Sequence, residues 1–178
     1  VSERPDLNDV MLIYFTSGTE SMPKMVVHNY AYPIGHIPTA KYWHNVDPDG
    51  LHLTVADTGW AKSVWGKLYG QWLMKAGIAV YDYSKFTAHA LLSRLSEDRV
   101  TTFCAPSSIY RVLVQEDLSK YDLSHLKHCL VAGEALNPEV IEKFMQMTGL
   151  NIFDGYGQTE ATLIIAAMHW TKVKPGSM

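Results

Sequence analysis

Short apolar segments alternate with helical patterns along the chain, and this alternation restricts the folds that the chain can adopt. The apolar segments are rich in residues that favour strands and cover positions 11–15, 51–56, 77–83, 100–105, 128–133 and 162–167. Between them, apolar side chains recur at helical spacing in three stripes: Leu91, Leu92 and Leu95; Ile109, Val112 and Leu113; Val140, Ile141 and Phe144. Strands that alternate with helices are typical of βαβ units on a parallel sheet. We therefore predict an α/β fold in which helices flank a mostly parallel sheet.

Local signals mark several element boundaries. Asn137 followed by Pro138 is typical of a helix N-cap and first helical position, and Gly149 of a helix end. The DPDG sequence at 47–50 predicts a turn. Because no repeat or low-complexity linker interrupts the pattern, we predict one layered α/β system across all 178 residues.

Charge and hydropathy exclude some classes of function. The chain has 15 basic and 18 acidic side chains, a net charge of −3, so it has no broad basic field that would gather nucleic acid. No apolar run reaches the roughly 18 residues that span a bilayer, and the first ten residues lack the order of a signal peptide. We expect no membrane span and a soluble, reducing compartment, which suggests a cytoplasmic location.

The cysteines and their neighbours are interpreted as structural. Cys104 and Cys129 both lie in apolar segments, where a buried free thiol is commoner than a catalytic or disulfide-bonded one. His125 and His128 lie beside Cys129, but their spacing does not form a closed zinc set. We therefore predict no zinc site here.

The two ends of the sequence, Val1 at the start and KPGSM at the finish, do not resemble native termini. A Pro-Gly turn of this kind leads toward further structure. We expect the chain to be an internal piece of a longer protein.

A loop rich in hydroxyl groups follows the first strand, in the sequence LIYFTSGTESMPK at 12–24. Hydroxyl and backbone N–H donors, the freedom of Gly18 and the charge of Lys24 suit the β- and γ-phosphates of a triphosphate. The alternative is a hydrophilic hairpin turn. A Walker loop is excluded, because Pro23 and Met25 stand where that motif needs Gly and Ser or Thr.

A glycine-rich segment, DGYGQTE, occupies 154–160. Gly155 and Gly157 would let the main chain approach a nucleotide, and Tyr156 offers an aromatic face for adenine. The alternative is a glycine-flanked turn with an exposed carboxylate.

Three of the five tryptophans lie in ADTGWAKSVWGKLYGQW at 56–72, just after a predicted strand. Asp57 or Thr58 can cap the helix that follows, and Trp65 and Trp72 would share one face of it at a spacing of seven. Tryptophans in such a position most often anchor a core.

The hydroxyl-rich loop and the glycine-rich segment resemble the same family. TSGTESMPK resembles the signature loop of the adenylate-forming superfamily, which includes acyl-CoA synthetases, luciferases and the adenylation domains of peptide synthetases. Its flanks, YFTSGT and PKMVVH, are similar to the medium-chain acyl-CoA synthetase branch, and DGYGQTE resembles the family's later Gly-Tyr-Gly-x-Thr-Glu segment. The resemblance implies that residues 1–178 are part of the large AMP-binding domain, with more of that domain and a C-terminal lid domain elsewhere.

The resemblance also implies a nucleotide site. It would comprise Thr16, Ser17, Gly18, Thr19, Glu20, Ser21, Met22, Pro23, Lys24, Gly133, Glu134, Ala135, Asp154, Gly155, Tyr156, Gly157, Gln158 and Thr159. The catalytic group would comprise Thr19, Lys24, Thr159 and Glu160. In this reading Lys24 and the loop hydroxyls contact pyrophosphate, Thr159 the α-phosphate, and Glu160 a Mg²⁺ ion. Glu20 is expected at the loop tip rather than on a phosphate.

For the acyl group, the resemblance implies a pocket formed by Trp60, Lys62, Trp65, Cys104 and Gly157. Large side chains would shorten such a pocket, which favours a short or branched acid. Lys62 could instead contact a polar substituent of the acid.

The activity implied by the resemblance is the conversion of a carboxylic acid, ATP and CoA into acyl-CoA, AMP and pyrophosphate, with a homo-oligomer possible. Two alternatives remain: an adenylating enzyme with an acceptor other than CoA, or a nucleotide-binding protein without catalysis. We expect the ribose-binding aspartate, the arginine after it, the hinge and the catalytic lysine of the lid domain to lie beyond Met178. Without them, the 178 residues alone would be inactive.

Overall fold

A computed structural model describes residues 4–16, 22–174 and 176–177, without the side chain of Trp65. The described strands are β1 (Val10–Thr16), β2 (Lys24–Asn29), β3 (Leu51–Thr54), β4 (Gly77–Ala79), β5 (Thr102–Ala105), β6 (His128–Ala132), β7 (Ile152–Gly157) and β8 (Leu163–Ala166). The described α-helices are α1 (Tyr32–Gly35), α2 (Ala61–Trp65), α3 (Tyr69–Leu73), α4 (Ala88–Glu97), α5 (Ser107–Leu113) and α6 (Pro138–Thr148). A π-helical turn covers Thr39–Trp43 and a 3₁₀ turn covers Leu118–Lys120.

Six of the described strands form one sheet in the order β4-β3-β5-β6-β7-β8. All neighbours are parallel except β8, which pairs antiparallel with β7 at the sheet edge. Every residue of the neighbouring strands β5 and β6 is buried, as expected for parallel strands covered on both faces. The prediction of an α/β fold with a mostly parallel sheet is confirmed.

The first apolar segment, however, is not part of this sheet. Strand β1 pairs antiparallel with β2 in a separate two-stranded sheet, in which Thr16 lies opposite Lys24. An antiparallel pair of strands is compatible both with the hairpin alternative and with a phosphate loop between the strands, and residues 17–21 lie outside the described part of the chain. Strands β2 and β7 were not predicted, because β2 holds only three consecutive apolar residues, Met25 to Val27, and the glycines of β7 are typical of a turn.

Two of the three helical stripes lie against the core as predicted. Leu91, Leu92 and Leu95 of α4 are buried, and so are Ile141 and Phe144 of α6. The third stripe was partly wrong, because Val112 of α5 is 43% exposed. Tyr110 occupies the core face with Leu113, one helical turn away, and Val112 points to the opposite side.

The helix boundaries around α6 follow the sequence signals. The Asn137 side chain accepts a hydrogen bond from the Glu139 N–H, and Gly149 ends the helix in the left-handed region at φ 73°. In the predicted turn, the Gly50 N–H donates to the Asp47 carbonyl at 2.9 Å. These three predictions are confirmed.

The tryptophan-rich segment forms two short helices instead of the one that we predicted. Helix α2 ends at Gly66, so Trp65 and Trp72 do not share a helix face. The break has a tertiary cause, because buried donors from three side chains take the Gly66 carbonyl. They are His52 Nε2 at 2.9 Å, Thr54 Oγ1 at 2.6 Å and Gln71 Nε2 at 3.0 Å.

The start of α2 also differs from the prediction. Trp60 is the N-cap and makes no capping hydrogen bond through its side chain. The Asp57 carboxylate accepts from the Gly59 N–H at 2.7 Å instead. Because this bond closes a tight turn before the helix, neither Asp57 nor Thr58 caps it.

Cys104 and Cys129 are both buried and free, as predicted. None of the helices in the described ranges has the length and apolar character needed to cross a lipid bilayer.

Candidate functional site

A cavity of about 530 Å³ opens at the carboxyl ends of β5, β6 and β7. Ligands of open α/β sheets bind at this edge, and the volume is typical of a small-molecule site. Its walls come from the end of β1, from α2 and from the segments after the three strands. The lining residues are Thr16, Trp60, Ala61, Lys62, Pro106, Ser108, Ala132, Gly133, Glu134, Gly157, Gln158, Thr159 and Glu160.

The cavity is lined by residues of both the hydroxyl-rich loop and the glycine-rich segment. Thr16, at the end of β1, lines it with Thr159 and Glu160 from the turn after β7. The hairpin register places Lys24 opposite Thr16, and the Lys24 side chain is exposed. Residues with hydroxyl and carboxylate groups therefore line one cavity, and a lysine is paired with one of them in the hairpin register.

The structure describes only some of the other residues in the predicted phosphate loop. Ser17, Gly18, Thr19, Glu20 and Ser21 lie outside the described residues. Met22 and Pro23 are described and exposed, and neither lines the cavity.

The segment after β6 turns sharply at the cavity wall. Gly133 has a φ of 101°, in the left-handed region that side chains with a Cβ rarely adopt. The Glu134 carboxylate next to it accepts a hydrogen bond from Ser107 Oγ at 2.7 Å. Arg111 Nη2 lies 3.5 Å from the same carboxylate and donates to Ser107 Oγ at 3.0 Å. Of the three residues predicted here, Gly133 and Glu134 line the cavity and Ala135 does not.

The predicted adenylate segment divides between strand and turn. Gly157, the last residue of β7, and Gln158 line the cavity, whereas Asp154, Gly155 and the 40% exposed Tyr156 of the same strand do not. A Cβ on Gly155 would lie 2.5 Å from the ring of Trp43, so this glycine allows close packing inside the protein. A Cβ on Gly157 would lie 2.8 Å from the Thr162 carbonyl.

Lys62 is a cation beside the cavity with only 8% of its surface exposed. Its Nζ donates a hydrogen bond of 2.9 Å to the Ala132 carbonyl at the end of β6. Burial raises the pKa of Asp154, and a hydrogen bond from Gly155 and the charge of Lys62 oppose that rise. At this wall the cation of Lys62 lies among apolar neighbours, since Trp60, Ala61 and Pro106 also line the cavity.

The remaining residues of the predicted acyl pocket lie in different surroundings. Trp60 lines the cavity and is 62% exposed. Cys104 is fully buried and packs with Trp43, Leu130 and Ala132. Burial raises the pKa of its thiol. The Trp65 side chain lies outside the described part of the structure.

Two neighbours of the site escaped the sequence reasoning. Trp43 packs against Gly155 and Cys104 from a π-helical turn, and no motif marks it. The Nε2 atom of His28 lies 2.6 Å from the main-chain oxygen of Thr159. His28 belongs to the PKMVVH flank, but nothing in that sequence indicates a contact 131 residues away.

Three buried histidines lie in the sheet or beside it. His44, His52 and His128 are buried, and burial is the main cause that lowers the pKa of each. The values for His52 and His128 fall to about 4. His128 Nε2 donates to the Trp43 carbonyl at 2.8 Å. These imidazoles are therefore neutral at pH 7 and act as hydrogen-bonded core residues.

Comparison with known proteins identifies similar sequences and folds. The family model for AMP-binding enzymes matches residues 1–178. The mitochondrial acyl-coenzyme A synthetase ACSM3 of Homo sapiens is 40% identical over 172 residues, which is 96% of this chain and 29% of the relative. The chain thus spans less than a third of that protein's length.

Two solved structures are similar in sequence and in fold. An acyl-CoA synthetase from Brucella canis has a TM-score of 0.84 at 26% identity, covering 96% of this chain and 31% of its own. The anthranilate CoA ligase AuaEII, in complex with anthranoyl-AMP, has a TM-score of 0.83 at 26% identity, covering 96% and 33%.

The comparison corrects one expectation. ACSM3 is named as a mitochondrial protein, as are the related human ACSM4 and ACSM5. The cytoplasmic location that we expected is therefore wrong. The expectation rested on charge and hydropathy, which do not distinguish one reducing compartment from another.

Proposed function

The chain belongs to the AMP-binding enzyme family, and from this we propose that the full-length protein is an acyl-CoA synthetase. It would use ATP to convert a carboxylic acid into acyl-AMP and pyrophosphate, and then transfer the acyl group to CoA with release of AMP. The human relative and the two similar structures are named as acyl-CoA synthetases or a CoA ligase, which supports this assignment.

One observation in the structure is the main support. Thr16 of the hairpin and Thr159 and Glu160 of the β7–β8 turn line one cavity. Thr16 belongs to the hydroxyl-rich loop, and Thr159 and Glu160 belong to the glycine-rich segment. A single ATP molecule at this edge would meet both.

Recognition of ATP follows from the groups around the cavity. Lys24 and the hydroxyl groups of the hairpin loop would contact the β- and γ-phosphates, and Thr159 the α-phosphate. The Gly133–Ala135 segment and Tyr156 would provide surfaces for adenine. Arg111 and Ser107 hold the Glu134 carboxylate, which limits its repulsion of the phosphates.

The oxygen donors at this edge also fit a magnesium ion. Mg²⁺ is usually held by one or two carboxylates together with substrate phosphates and water. Glu160 supplies an exposed carboxylate at the cavity, and Thr16 and Thr159, which carry hydroxyl groups, line the same cavity. When bound, the ion would neutralise charge as pyrophosphate leaves.

The acid would lie against Trp60, Lys62 and Gly157. In the first step, a carboxylate oxygen of the acid attacks the α-phosphorus and the bond to pyrophosphate breaks. In the second step, the CoA thiolate attacks the acyl carbon and AMP leaves with the carboxylate oxygen. Neither step needs a nucleophile from the protein, so the residues act by positioning and charge stabilisation.

The shape of the site favours a small acid. Trp60 contributes a large ring to the wall, and Lys62 adds a cation that can contact a carboxylate or a polar substituent. We infer a short or branched acid as the preferred substrate class.

A pyrophosphate-exchange screen of the full-length protein tests the proposal. Short, branched, aromatic and medium-chain acids are compared in the presence of ATP and Mg²⁺, with and without CoA. We expect acid-dependent exchange, and acyl-CoA when CoA is added. Exchange without any acyl-CoA would instead indicate another acceptor, and no exchange with any acid would refute the adenylating activity.

A further inference from the structure

A buried histidine joins the hairpin to the turn that contains Thr159 and Glu160. His28 of β2 is 9% exposed, and its Nε2 lies 2.6 Å from the main-chain oxygen of Thr159. A carbonyl oxygen can only accept, so Nε2 carries the proton and donates it. The contact is therefore a directed hydrogen bond between segments that are 131 residues apart.

Neighbouring rings fix the orientation of this imidazole. Tyr32 of α1 stacks on His28, with ring centroids 3.7 Å apart and an interplanar angle of 21°. Tyr14 of β1 meets it edge-on at 5.8 Å. A ring held on two sides loses little further freedom when it donates, so its hydrogen bond can position a partner accurately.

The strand that holds His28 also holds Lys24. In the hairpin register, Leu12 lies opposite His28 and Thr16 lies opposite Lys24. Residues four apart on a strand lie on the same face, roughly 13 Å from each other. A paired strand is stiff, so the position of His28 determines where the Lys24 end of the hairpin lies.

The acceptor belongs to the turn that lines the cavity. The Ala161 N–H donates to the Gln158 carbonyl at 3.1 Å and closes this turn. Thr159 and Glu160 are its central residues, and both line the cavity that Thr16 also lines. A bond to the Thr159 carbonyl therefore sets the position of the turn relative to the hairpin.

We propose that His28 is a positioning residue for adenylate formation, since its bond to Thr159 fixes Glu160 and Thr159 relative to the Lys24 end of the hairpin. The role rests on the proposed function, because one ATP must contact both segments. His28 itself does not touch ATP in this account. It acts through Thr159.

Three variants of the full-length protein test the hydrogen-bond donor of His28 separately from its aromatic ring. His28→Phe keeps an aromatic ring for Tyr32 but removes the donor. His28→Gln keeps a donor at the reach of Nε2, and His28→Asn has the same amide one methylene shorter. His89→Phe, at an exposed histidine of α4, is the matched control.

The kinetic readout is acid-dependent pyrophosphate exchange, with kcat and the KM values for ATP and acid determined separately. We expect His28→Phe and His28→Asn to lower kcat roughly tenfold, the effect of one lost hydrogen bond to a partly buried acceptor. The KM for the acid should not change. His28→Gln should recover most of the lost kcat, and His89→Phe should match the wild type.

Hydrogen exchange gives a second readout that does not depend on turnover. Amides of residues 158–162 should exchange faster in His28→Phe and His28→Asn than in the wild type, with His28→Gln close to the wild type. Equal exchange and equal kcat in all variants would overturn the proposal. So would a His28→Gln variant that is folded and as impaired as His28→Asn.

Failure of the proposed function would give a different pattern. In that case the wild-type protein itself would show no exchange with any acid, and both proposals would fall. If only this inference is wrong, the wild type remains active and the amide variants do not differ from each other.

Discussion

The Nζ atom of Lys62 donates a hydrogen bond of 2.9 Å to the main-chain oxygen of Ala132, which joins α2 to the end of β6. Both residues line the cavity. The bond therefore links the wall nearest the proposed acyl site to the parallel sheet.

Replacing Lys62 by Met tests this link. Met keeps much of the side-chain length but leaves the Ala132 carbonyl without its donor, which costs about 1–3 kcal/mol for a buried group. We expect the free energy of unfolding of the full-length protein to fall by that amount in urea denaturation. Lys143→Met, at an exposed position of α6, is the control. Equal stability of the two variants would show that the bond contributes little.

Glu160→Gln tests the proposed magnesium contact. The change removes a charge at the cavity and keeps the shape of the side chain. Pyrophosphate exchange by the full-length enzyme should fall on the order of 10²-fold, the usual effect of one electrostatic group in an active site, with a higher Mg²⁺ requirement.

The control for this variant is Glu139→Gln, at an exposed carboxylate of α6 that does not line the cavity. Unchanged exchange by Glu160→Gln at limiting Mg²⁺ would exclude the metal role of Glu160.

Trp60→Ala tests whether the cavity accommodates the acyl chain. Removing this ring opens volume at the wall, so longer acids should gain relative to short ones, by up to about 0.8 kcal/mol for each methylene that becomes buried. The measurement is kcat/KM across a series of straight-chain acids.

Trp72→Ala is a matched control, since Trp72 is 61% exposed and does not line the cavity. A uniform fall of activity for all chain lengths in Trp60→Ala would mean that Trp60 supports the fold rather than substrate choice. For Trp65→Ala, the resemblance to acyl-CoA synthetases rather than the structure predicts a longer-chain preference.

Stability should depend on pH through the buried histidines. Burial lowers the pKa of His52 and His128 to about 4, whereas the unfolded value is about 6.5. Between these values the unfolded chain binds more protons, so the stabilisation is complete above pH 6.5 and is lost as pH falls toward 4. We expect the melting temperature to fall through this window.

His52→Gln should reduce that slope, because one buried imidazole no longer has to remain neutral. His89→Gln, at an exposed histidine, should leave the slope unchanged. Melting temperatures between pH 4 and pH 7 decide the matter. Identical slopes for the wild type and both variants would contradict the role of His52.

Much of the fold was predictable because local pattern and burial agree. Fully buried parallel strands such as His128–Ala132 consist mostly of consecutive apolar residues, and the Asn137 cap and Gly149 stop are local signals. The break at Gly66 was not predictable, because its cause is tertiary. His52 and Thr54, from a preceding strand, take the carbonyl that a longer helix would use.

The candidate site divides in the same way. Thr16, Lys62, Gly157 and Thr159 were selected from residue chemistry and resemblance, and all four line the cavity. Contacts between distant segments had no signal in the sequence. The packing of Trp43 against Gly155 and the bond from His28 to Thr159 depend on the assembled fold.

An oxygen-18 transfer experiment tests the central claim most directly. The full-length protein is incubated with ATP, CoA, Mg²⁺ and a carboxylic acid labelled in both carboxylate oxygens, and the AMP is analysed by mass spectrometry. Attack of the carboxylate on the α-phosphorus, followed by thiolysis, leaves one labelled oxygen in the phosphate of AMP. We predict that single label. Unlabelled AMP, or label in orthophosphate formed together with ADP, would contradict the account.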